Sequence, residues 1–384
     1  MRLHFAGLAY ATWLFLPLQL PAQEVGVRLG PVLVDTEADT VIGSATQLSR
    51  LAKNGIVVAD LRARVFHLVD RKGSVAWRAG RSGEGPGEFR NISYVWIRNN
   101  VLYVVDRALR RTTSFEMESG RLLDTEAMPP LSDGVQRMGV LPNPITEAGG
   151  CRLWMVQSHA EVKPPASLIF SDTPRGVSPI LWSNPLDAGV VLFRAGGQDR
   201  AFFLPYVPLP LPGFDYANGD MVIATKPLVR TAEVKVSLSR YNSCGQLIKK
   251  PDEVVLKAIP FPPGERARIE KSWQESAARI GVPSSKIATA LREHLYLPPA
   301  HPPLITLMVS SDGRPFGRRS GEGLEPVSSM LRHWIVFPSG SGNALEFVTR
   351  RTMTVIDVVG KEVLIVDLPN GPGGKEQLRI GMLP

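Results

Sequence analysis

Short runs of apolar residues, each bounded by a Gly, Asp or Asn turn, recur along the chain and predict an all-β protein. The clearest run, residues 55–60, has a counterpart at residues 101–106. The two runs end at Asp60 and Asp106, which are 46 residues apart (106 minus 60). Short strands and Gly turns that recur with such a period are typical of β-propellers and solenoids.

Six units of this kind can be counted, which predicts a six-bladed β-propeller. Each blade of this fold is a short antiparallel sheet, and the blades surround a central channel. The third and fourth units have weak boundaries, so the pattern leaves seven blades open. The six units cover residues 48–80, 90–128, 135–185, 190–260, 304–337 and 352–382. Partial alternation within residues 24–43 predicts one more strand, which would complete the last blade and cover its edge.

Between the fourth and fifth units the hydrophobic period becomes helical. Residues 265–279 place Ile269 and Trp273 on one face, and Ser284 can cap a second helix. We expect a helical insertion at about residues 264–298, packed on the rim of the propeller or over its channel. A helical linker between two domains is the alternative.

The first 23 residues have the pattern of an export signal. Arg2 gives a positive start, and residues 5–18 are almost wholly apolar. We therefore expect an exported protein, periplasmic or extracellular, in which residues 24–384 form one propeller domain. Because residues 3–20 are about long enough to span a bilayer, an uncleaved membrane anchor is the alternative. No later stretch of the sequence approaches transmembrane length.

The chain has two cysteines, Cys151 and Cys244. In an exported protein an even number permits a disulfide. The alternative is a pair of buried thiols that never meet. Two cysteines without a His pair at ligand spacing cannot hold zinc, so we expect no metal and no cofactor.

Charge argues against nucleic acid as a partner. The formal net charge is +8, but the basic residues are scattered along the chain. Nucleic-acid binding would need a basic patch interleaved with stacking aromatic residues, and aromatic residues make up only 7% of the sequence. We expect a monomer whose ligand is a protein, peptide or glycan.

The most informative segment lies between the first two units, at residues 80–89. Its glycines permit backbone angles that other residues avoid, and its proline fixes one φ, so the chain can turn sharply between blades. Its phenylalanine would anchor the segment between adjacent sheets. The residues expected to form this inter-blade loop are Gly80, Gly83, Gly85, Pro86, Gly87, Glu88 and Phe89. A shortened echo of the motif occurs at residues 319–323.

This loop and the strand Leu102-Tyr103-Val104-Val105-Asp106 resemble the NHL-type repeat, and more closely a large group of exported bacterial six-bladed β-propellers. That group carries a G-x-G-x-GPGEF loop between the first and second blades, followed by a strand that ends in Tyr-Val-x-Asp. The resemblance implies an NHL- or TolB-like fold. Two segments depart from the pattern: Arg98-Asn99-Asn100 replaces an Asp-Gly turn, and residues 312–316 lack the usual following Trp-Val strand. These departures bear on the third and fifth blades.

Two strand-end carboxylates recur at matching places. Asp60 and Asp106 each stand four residues before an arginine, Arg64 and Arg110. We expect each carboxylate to accept hydrogen bonds from turn amides or from a neighbouring arginine. The alternative is a ring of charges near the channel.

No residue pattern identifies a catalytic site. The histidines form no H-x-x-x-H motif or triad, no predicted strand centres on an acidic residue, and no Gly-x-Ser-x-Gly or dinucleotide-binding motif is present. We therefore expect a binding scaffold that uses its loops or channel. The alternative is a metal-dependent hydrolase or lyase, lactonase-like or amidating-lyase-like, with its site at the channel mouth. Converging carboxylate, Asn or His side chains there would favour the enzyme, whereas an apolar or Arg-lined opening would favour binding.

Overall fold

The chain folds as a six-bladed β-propeller. A computed structural model describes residues 26–36, 42, 48–128, 143–148, 150–157, 166–173, 176–177, 182–185, 190–195, 198–203, 210–225, 227, 229–261, 264–279, 281–294, 300–319, 331–340, 343–368 and 375–384. In the first five blades the strands pair in chain order, except that the last two strands of blade 3 both pair with its third strand. The sixth blade is completed by the first strand of the protein. The predicted all-β fold and six blades are confirmed.

The strands of the first three blades, and of the loop after blade 1, are as follows: β2 (Arg50–Ala52), β3 (Gly55–Asp60), β4 (Val65–Asp70) and β5 (Val75–Ala79) in blade 1; β6 (Arg81–Ser82) and β7 (Glu88–Phe89) in the loop; β8 (Ile92–Arg98), β9 (Val101–Asp106), β10 (Arg111–Glu116) and β11 (Leu122–Ala127) in blade 2; β12 (Asn143–Ala148), β13 (Cys151–Gln157), β14 (Ala166–Thr173), β15 (Gly176–Val177) and β16 (Trp182–Pro185) in blade 3.

The remaining elements are as follows: β17 (Val190–Ala195) and β18 (Gln198–Phe203) in a hairpin; β19 (Leu211–Asp215), β20 (Asp220–Ala224), β21 (Glu233–Tyr241) and β22 (Asp252–Lys257) in blade 4; the helices α1 (Glu265–Arg279) and α2 (Ser284–His294); β23 (Thr306–Val309), β24 (Pro315–Arg318), β25 (Leu331–Val336) and β26 (Leu345–Arg350) in blade 5; β27 (Met353–Val359), β28 (Glu362–Asp367), β29 (Gln377–Met382) and β1 (Arg28–Asp35) in blade 6.

The first strand of each blade lies nearest the axis. β2 contacts β8 on one side and β27 on the other, and β19 contacts both β12 and β23. These contacts join the first strands of different blades, so the first strands surround the central opening and the later strands extend outward.

Apolar side chains fill the spaces between consecutive blades. In β3, Val57 and Ala59 belong to a buried cluster shared with blade 2, whereas Ile56 and Val58 belong to one shared with blade 6. Further clusters join blades 3 and 4, 4 and 5, and 5 and 6. A sheet that is covered on both faces needs apolar residues at successive positions. This explains why the sequence shows continuous apolar runs in place of strict alternation.

The first strand of the chain closes the ring. β1 pairs antiparallel with β29, from Arg28 opposite Met382 to Asp35 opposite Gln377. Leu33 and Val34 of β1 are buried against blades 1 and 6. The expected completion of the last blade is confirmed, and the pairing leaves no unpaired edge on β29.

The predicted start of the fourth unit is wrong. The sequence pattern predicts a single unit over residues 190–260. In the structure, β17 and β18 pair with each other as a separate two-stranded hairpin, and blade 4 begins at Leu211. The hairpin has strand-forming residues and therefore has the same local pattern as a blade. With two strands it does not supply a seventh blade.

The two departures from the resembling group leave the fold unchanged. Asn99 and Asn100 have φ values of 49° and 63° in the two-residue turn that joins Arg98 to Val101. A tight hairpin turn needs positive φ at both central positions, and Asn tolerates this better than most residues. In blade 5 the short strand β24 pairs with both β23 and β25, so the blade is complete.

The helices lie between blades 4 and 5 and pack against each other. Trp273 of α1 and Ile287 of α2 are buried. A backbone bridge between Pro260 and Ala300 brings the two ends of this segment together, which suits an excursion that leaves the ring and returns. In the described part of the chain, no helix is both long and apolar enough to cross a membrane.

Candidate functional site

The inter-blade loop is anchored by Phe89. This side chain is fully buried, and its ring lies edge-on to Phe66 of blade 1 at 5.7 Å between centroids. The ring of Phe115 in blade 2 lies 6.1 Å away. Gly80 has a φ of +86°, and a Cβ there would lie 2.9 Å from the Phe89 ring. The loop therefore ties the first two blades together through a buried aromatic contact.

Hydrogen bonds fix the rest of the loop. Glu88 accepts from the Gly85 amide at 2.7 Å and from Arg81 Nε at 2.6 Å, and these two contacts hold the pKa of Glu88 below its usual value. Arg111 of blade 2 donates to the carbonyl oxygens of Glu84, Gly85 and Glu88, each at 2.6 Å. Sequence patterns alone do not single out Arg111, which directly follows Arg110.

The strand-end carboxylates accept hydrogen bonds from turn amides. Asp60 accepts from the Ala63 amide and Asp106 from the Leu109 amide, each at 2.9 Å. Asp106 also accepts from the amides of Arg90 and Asn91, which directly follow the loop. Arg64 and Arg110 occupy matching turn positions with φ values of 59° and 49°. The geometry is that of two equivalent structural turns.

Cys151 and Cys244 form a disulfide. Cys151 begins β13 in blade 3, and Cys244 lies in the turn after β21 in blade 4. The Cα atoms are 5.0 Å apart, and 93 residues separate the two positions in the sequence. The bond therefore links two neighbouring blades covalently.

A cavity of about 510 Å³ lies at the centre of the ring, between blades 1, 4, 5 and 6. Its volume is within the range of about 300–1,000 Å³ that is usual for small-molecule sites. Among the described residues that line it, none is Asp or Glu, and most are aliphatic, aromatic or Thr. Its charged residues are Arg50, Arg318 and Arg332.

Two of these arginines share one face of blade 5. Arg318 stands opposite Trp334 in the β24–β25 ladder, and Arg332 is two residues before Trp334. Opposite residues and residues two apart point to the same face of a sheet. Arg332 Nη1 donates to the Met353 carbonyl at 3.0 Å and to Thr354 Oγ1 at 2.8 Å, so this face looks toward blade 6. The two arginines and Trp334 therefore share one face of blade 5 at the cavity wall.

Aromatic rings form the wall contributed by blade 4. Phe214 and Tyr216 line the cavity, with ring centroids 6.2 Å apart. Tyr216 also lies 5.1 Å from Tyr94 and 6.3 Å from Trp96 of blade 2, and Trp96 stacks on Tyr103 at 5.3 Å. The lining of the cavity thus combines arginines with aromatic rings.

Two tyrosines of this cluster, Tyr94 and Tyr216, have raised pKa values. Burial raises the pKa of Tyr216, Tyr94 raises it further, and Arg50 lowers it by a smaller amount. Burial also raises the pKa of Tyr94, against a smaller effect of Arg107. Both phenol groups can therefore donate a hydrogen bond in the interior of the ring.

A buried carboxylate joins three blades beside the cavity. Asp357 of blade 6 is 1% exposed. Its Oδ2 accepts from the Leu51 amide of blade 1 at 2.9 Å and from Ser311 Oγ of blade 5, and its Oδ1 accepts from the amides of Ser311 and Val358. Burial raises the pKa of Asp357, while Arg50 and these donors lower it.

The expectation that no strand centres on an acidic residue was wrong at this position. Asp357 lies inside β27, where the pairing with β28 shifts between Val355 and Asp357. A bulge of this kind redirects the side chain that follows it. A charged residue within the apolar run Val355-Ile356-Asp357-Val358-Val359 was the sequence signal that could have identified it.

A second cavity of about 590 Å³ lies among turns of blades 1, 2, 5 and 6. Its lining includes both signs of charge, and Arg71 and Glu362 form a bidentate ion pair there at 2.5 and 2.9 Å. This cavity therefore carries both signs of charge, whereas the described charged residues of the central one are all arginines.

The described residues contain no group of three or more His, Cys, Asp or Glu side chains placed to hold a metal ion. His67 is buried in β4, and His301 is buried with its ring centroid 4.2 Å from that of Phe261. The echo of the loop motif at 319–323 falls, apart from Arg319, outside the described residues. Arg319 is buried and bonds to Glu346 and to the Lys257 carbonyl.

Comparison with known proteins agrees with the architecture. Residues 32–137 match a family described as a 6-bladed beta-propeller. A solved structure of a Bacteroides fragilis protein, provisionally described as exported, aligns over 93% of this chain and 96% of its own, with 10% identity and a TM-score of 0.45.

A luciferin-regenerating enzyme aligns over 94% and 92% of the two chains, with 8% identity and a TM-score of 0.34. The WD40 domain of SCAP from fission yeast aligns over 93% and 98%, with 10% identity and a TM-score of 0.29. No curated protein matches the sequence significantly. The family match is consistent with the six blades, and these distant structures carry no argument about function.

Proposed function

We propose that this six-bladed β-propeller is an exported binding protein that holds a ligand in its central cavity. The observation that carries the proposal is the lining of that cavity, which combines three arginines with aromatic and aliphatic residues. The ligand is a small molecule, or the end of a peptide or glycan that reaches into the ring. Concave, mostly apolar sites with a few polar groups are the usual form of ligand sites.

The cavity favours binding over the enzyme alternative. A metal-dependent hydrolase or lyase of the lactonase or amidating-lyase kind needs carboxylate, Asn or His side chains that converge at the channel. In the described part of the chain, the residues that converge there are Arg50, Arg318 and Arg332. Guanidinium groups bind anions and do not bind metal ions.

Two features support export. Residues 1–23 have the pattern of a cleavable signal. Cys151 and Cys244 form a disulfide, and such bonds persist in the periplasm and outside the cell but are rare in the cytosol. We accordingly propose that residues 24–384 act as one propeller domain with its helical insertion, as a monomer, without nucleic acid as a partner.

A cavity-filling variant tests the proposal. Met308 lines the central cavity, so Met308→Trp would occupy part of the space that a ligand needs. Leu123→Trp adds the same indole to the outermost strand of blade 2, where Leu123 is 41% exposed. A panel of peptides, oligosaccharides and small organic acids would be screened by thermal shift, and each hit measured by calorimetry. Hits should lose affinity in Met308→Trp and keep it in Leu123→Trp.

Two results would count against the proposal. One is a ligand that binds Met308→Trp as tightly as the wild type, which would place its site elsewhere. The other is metal-dependent turnover of a lactone or ester panel by the purified mature protein, which would favour the enzyme alternative.

A further inference from the structure

We propose that the group held in the central cavity is a carboxylate attached to an apolar ring. The inference rests on the proposed function and specifies the ligand of the same site. Two sources offer this chemistry: a free aromatic acid, and a peptide that ends in an aromatic residue.

The carboxylate is assigned to the blade 5 wall. Arg318 and Arg332 lie on one face of the sheet as diagonal neighbours on adjacent strands, and such neighbours have Cα atoms about 7–8 Å apart. Long side chains at that separation can reach one shared group. A guanidinium group is a planar fork that matches the two oxygens of a carboxylate.

Thr306 and Thr354 place hydroxyl groups on the same side of the cavity. Both residues line it, and Thr306 stands opposite Arg318 in the β23–β24 ladder. Thr354 Oγ1 accepts from Arg332 Nη1, so it orients that guanidinium group. The oxygen-binding part of the cavity is therefore local and is built by blades 5 and 6.

The ring is assigned to the part of the cavity wall that blade 4 contributes. Phe214 and Tyr216 are partly exposed, and aliphatic residues of β23 and β27 line the same cavity. A flat apolar group gains both area burial and ring–ring contact against such a wall. A sugar or a bare inorganic anion would leave this apolar surface without a matching partner.

The test compares acids with their neutral amides. The probes are 2-naphthoate against 2-naphthamide, and the tripeptide Gly-Gly-Phe against its C-terminal amide, with inorganic phosphate as the anion alone. Affinities are measured by calorimetry on the full mature protein. At least one acid should bind about tenfold or more tightly than its amide and more tightly than phosphate, because charge-assisted bonds exceed neutral ones. The acid that binds more tightly identifies the source.

Arg318→Gln should weaken the preferred acid by about 10- to 100-fold and its amide by less than about threefold. Arg78→Gln is the matched control, since Arg78 is exposed on the outermost strand of blade 1. Arg332→Gln should act like Arg318→Gln. Arg332 also donates hydrogen bonds to blade 6, so the melting temperature of the Arg332→Gln protein is recorded. If that variant does not fold, the affinities of Arg318→Gln decide the test.

The possible failures are distinguishable. If acid and amide bind equally well and Met308→Trp blocks both, the charge assignment is wrong and the proposed function stands. If an acid binds but Met308→Trp leaves its affinity unchanged, both are wrong. If no probe binds at millimolar concentration, the carboxylate assignment is overturned, and the proposed function is decided by its own panel.

Discussion

Replacement of Asp357 by Asn should weaken the junction of blades 1, 5 and 6. The substitution keeps the shape of the side chain, but one carboxylate oxygen becomes an NH₂ group and the charge is lost. In the wild type each of the two oxygens accepts two hydrogen bonds from buried donors. Wherever the NH₂ group lies, it meets at least one donor in place of an acceptor.

The geometry allows the cost to be estimated. At the Oδ1 position the NH₂ group would meet two backbone amides, those of Ser311 and Val358. At the Oδ2 position it would meet the Leu51 amide and the Ser311 hydroxyl, and only the hydroxyl can rotate to accept. The better choice still leaves the buried Leu51 amide without an acceptor. Because a buried donor that is left unpaired costs about 1–3 kcal/mol, the free energy of unfolding should fall by about that amount.

Urea unfolding, followed by Trp fluorescence and circular dichroism, measures this change. Asp124→Asn is the control, because Asp124 is exposed on the outer strand of blade 2, and it should change stability by less than about 0.5 kcal/mol. Ser311→Ala removes a single donor and should cost about 1 kcal/mol. An Asp357→Asn protein as stable as Asp124→Asn would refute the three-blade junction.

The pH dependence of the same difference has a defined sign. Burial raises the pKa of Asp357 in the folded protein, so the folded state binds this proton more tightly than the unfolded chain. The stability that the proton contributes is fully present below the unfolded pKa and is lost as pH rises through the folded pKa. The advantage of the wild type over Asp357→Asn should therefore be smaller at pH 8 than at pH 4. A larger advantage at pH 8 would contradict the raised pKa.

Three further predictions concern closure, the disulfide and the loop. Deletion of residues 26–36 removes the partner of β29 and should lower the melting temperature substantially; an unchanged melting temperature would show that β1 does not close the ring. The Cys151→Ser, Cys244→Ser double variant should lose about 2–5 kcal/mol, because the disulfide closes a loop of 93 residues. Reductant should lower the melting temperature of the wild type to that of the double variant and should not change that of the variant. Equal melting temperatures of the two proteins without reductant would count against the disulfide. Glu88 should titrate by NMR below the usual Glu pKa, and the protection of the Gly85 amide should be lost as pH falls through that value. Titration at or above the usual value would show that the Gly85 and Arg81 contacts do not form.

The fold could be predicted because its signals are local. Each blade is a set of short strands joined by tight turns, and the turn residues stand beside the strands that they connect. The sequence therefore predicted six units, the closing strand and the position of Phe89. It misplaced the start of blade 4, since the hairpin of β17 and β18 uses the same kinds of residue as a blade.

The cavity could not be predicted because its parts are distant in the sequence. Arg50 and Arg318 are 268 positions apart (318 minus 50), and only the fold of the whole ring places both in the lining of one cavity. Nothing near either residue distinguishes it from the many surface arginines of the chain. Tyr94 and Tyr216 likewise stand in ordinary strand or turn sequences, and only their 5.1 Å contact shows that blades 2 and 4 meet there.

An experimental structure of the protein with bound 2-naphthoate would show where the ligand lies. We expect the naphthyl ring against Phe214 and Tyr216, with the carboxylate within hydrogen-bonding distance of Arg318 or Arg332. A probe bound in the second cavity or on the outer loops, with the central cavity unoccupied, would overturn the proposed binding site.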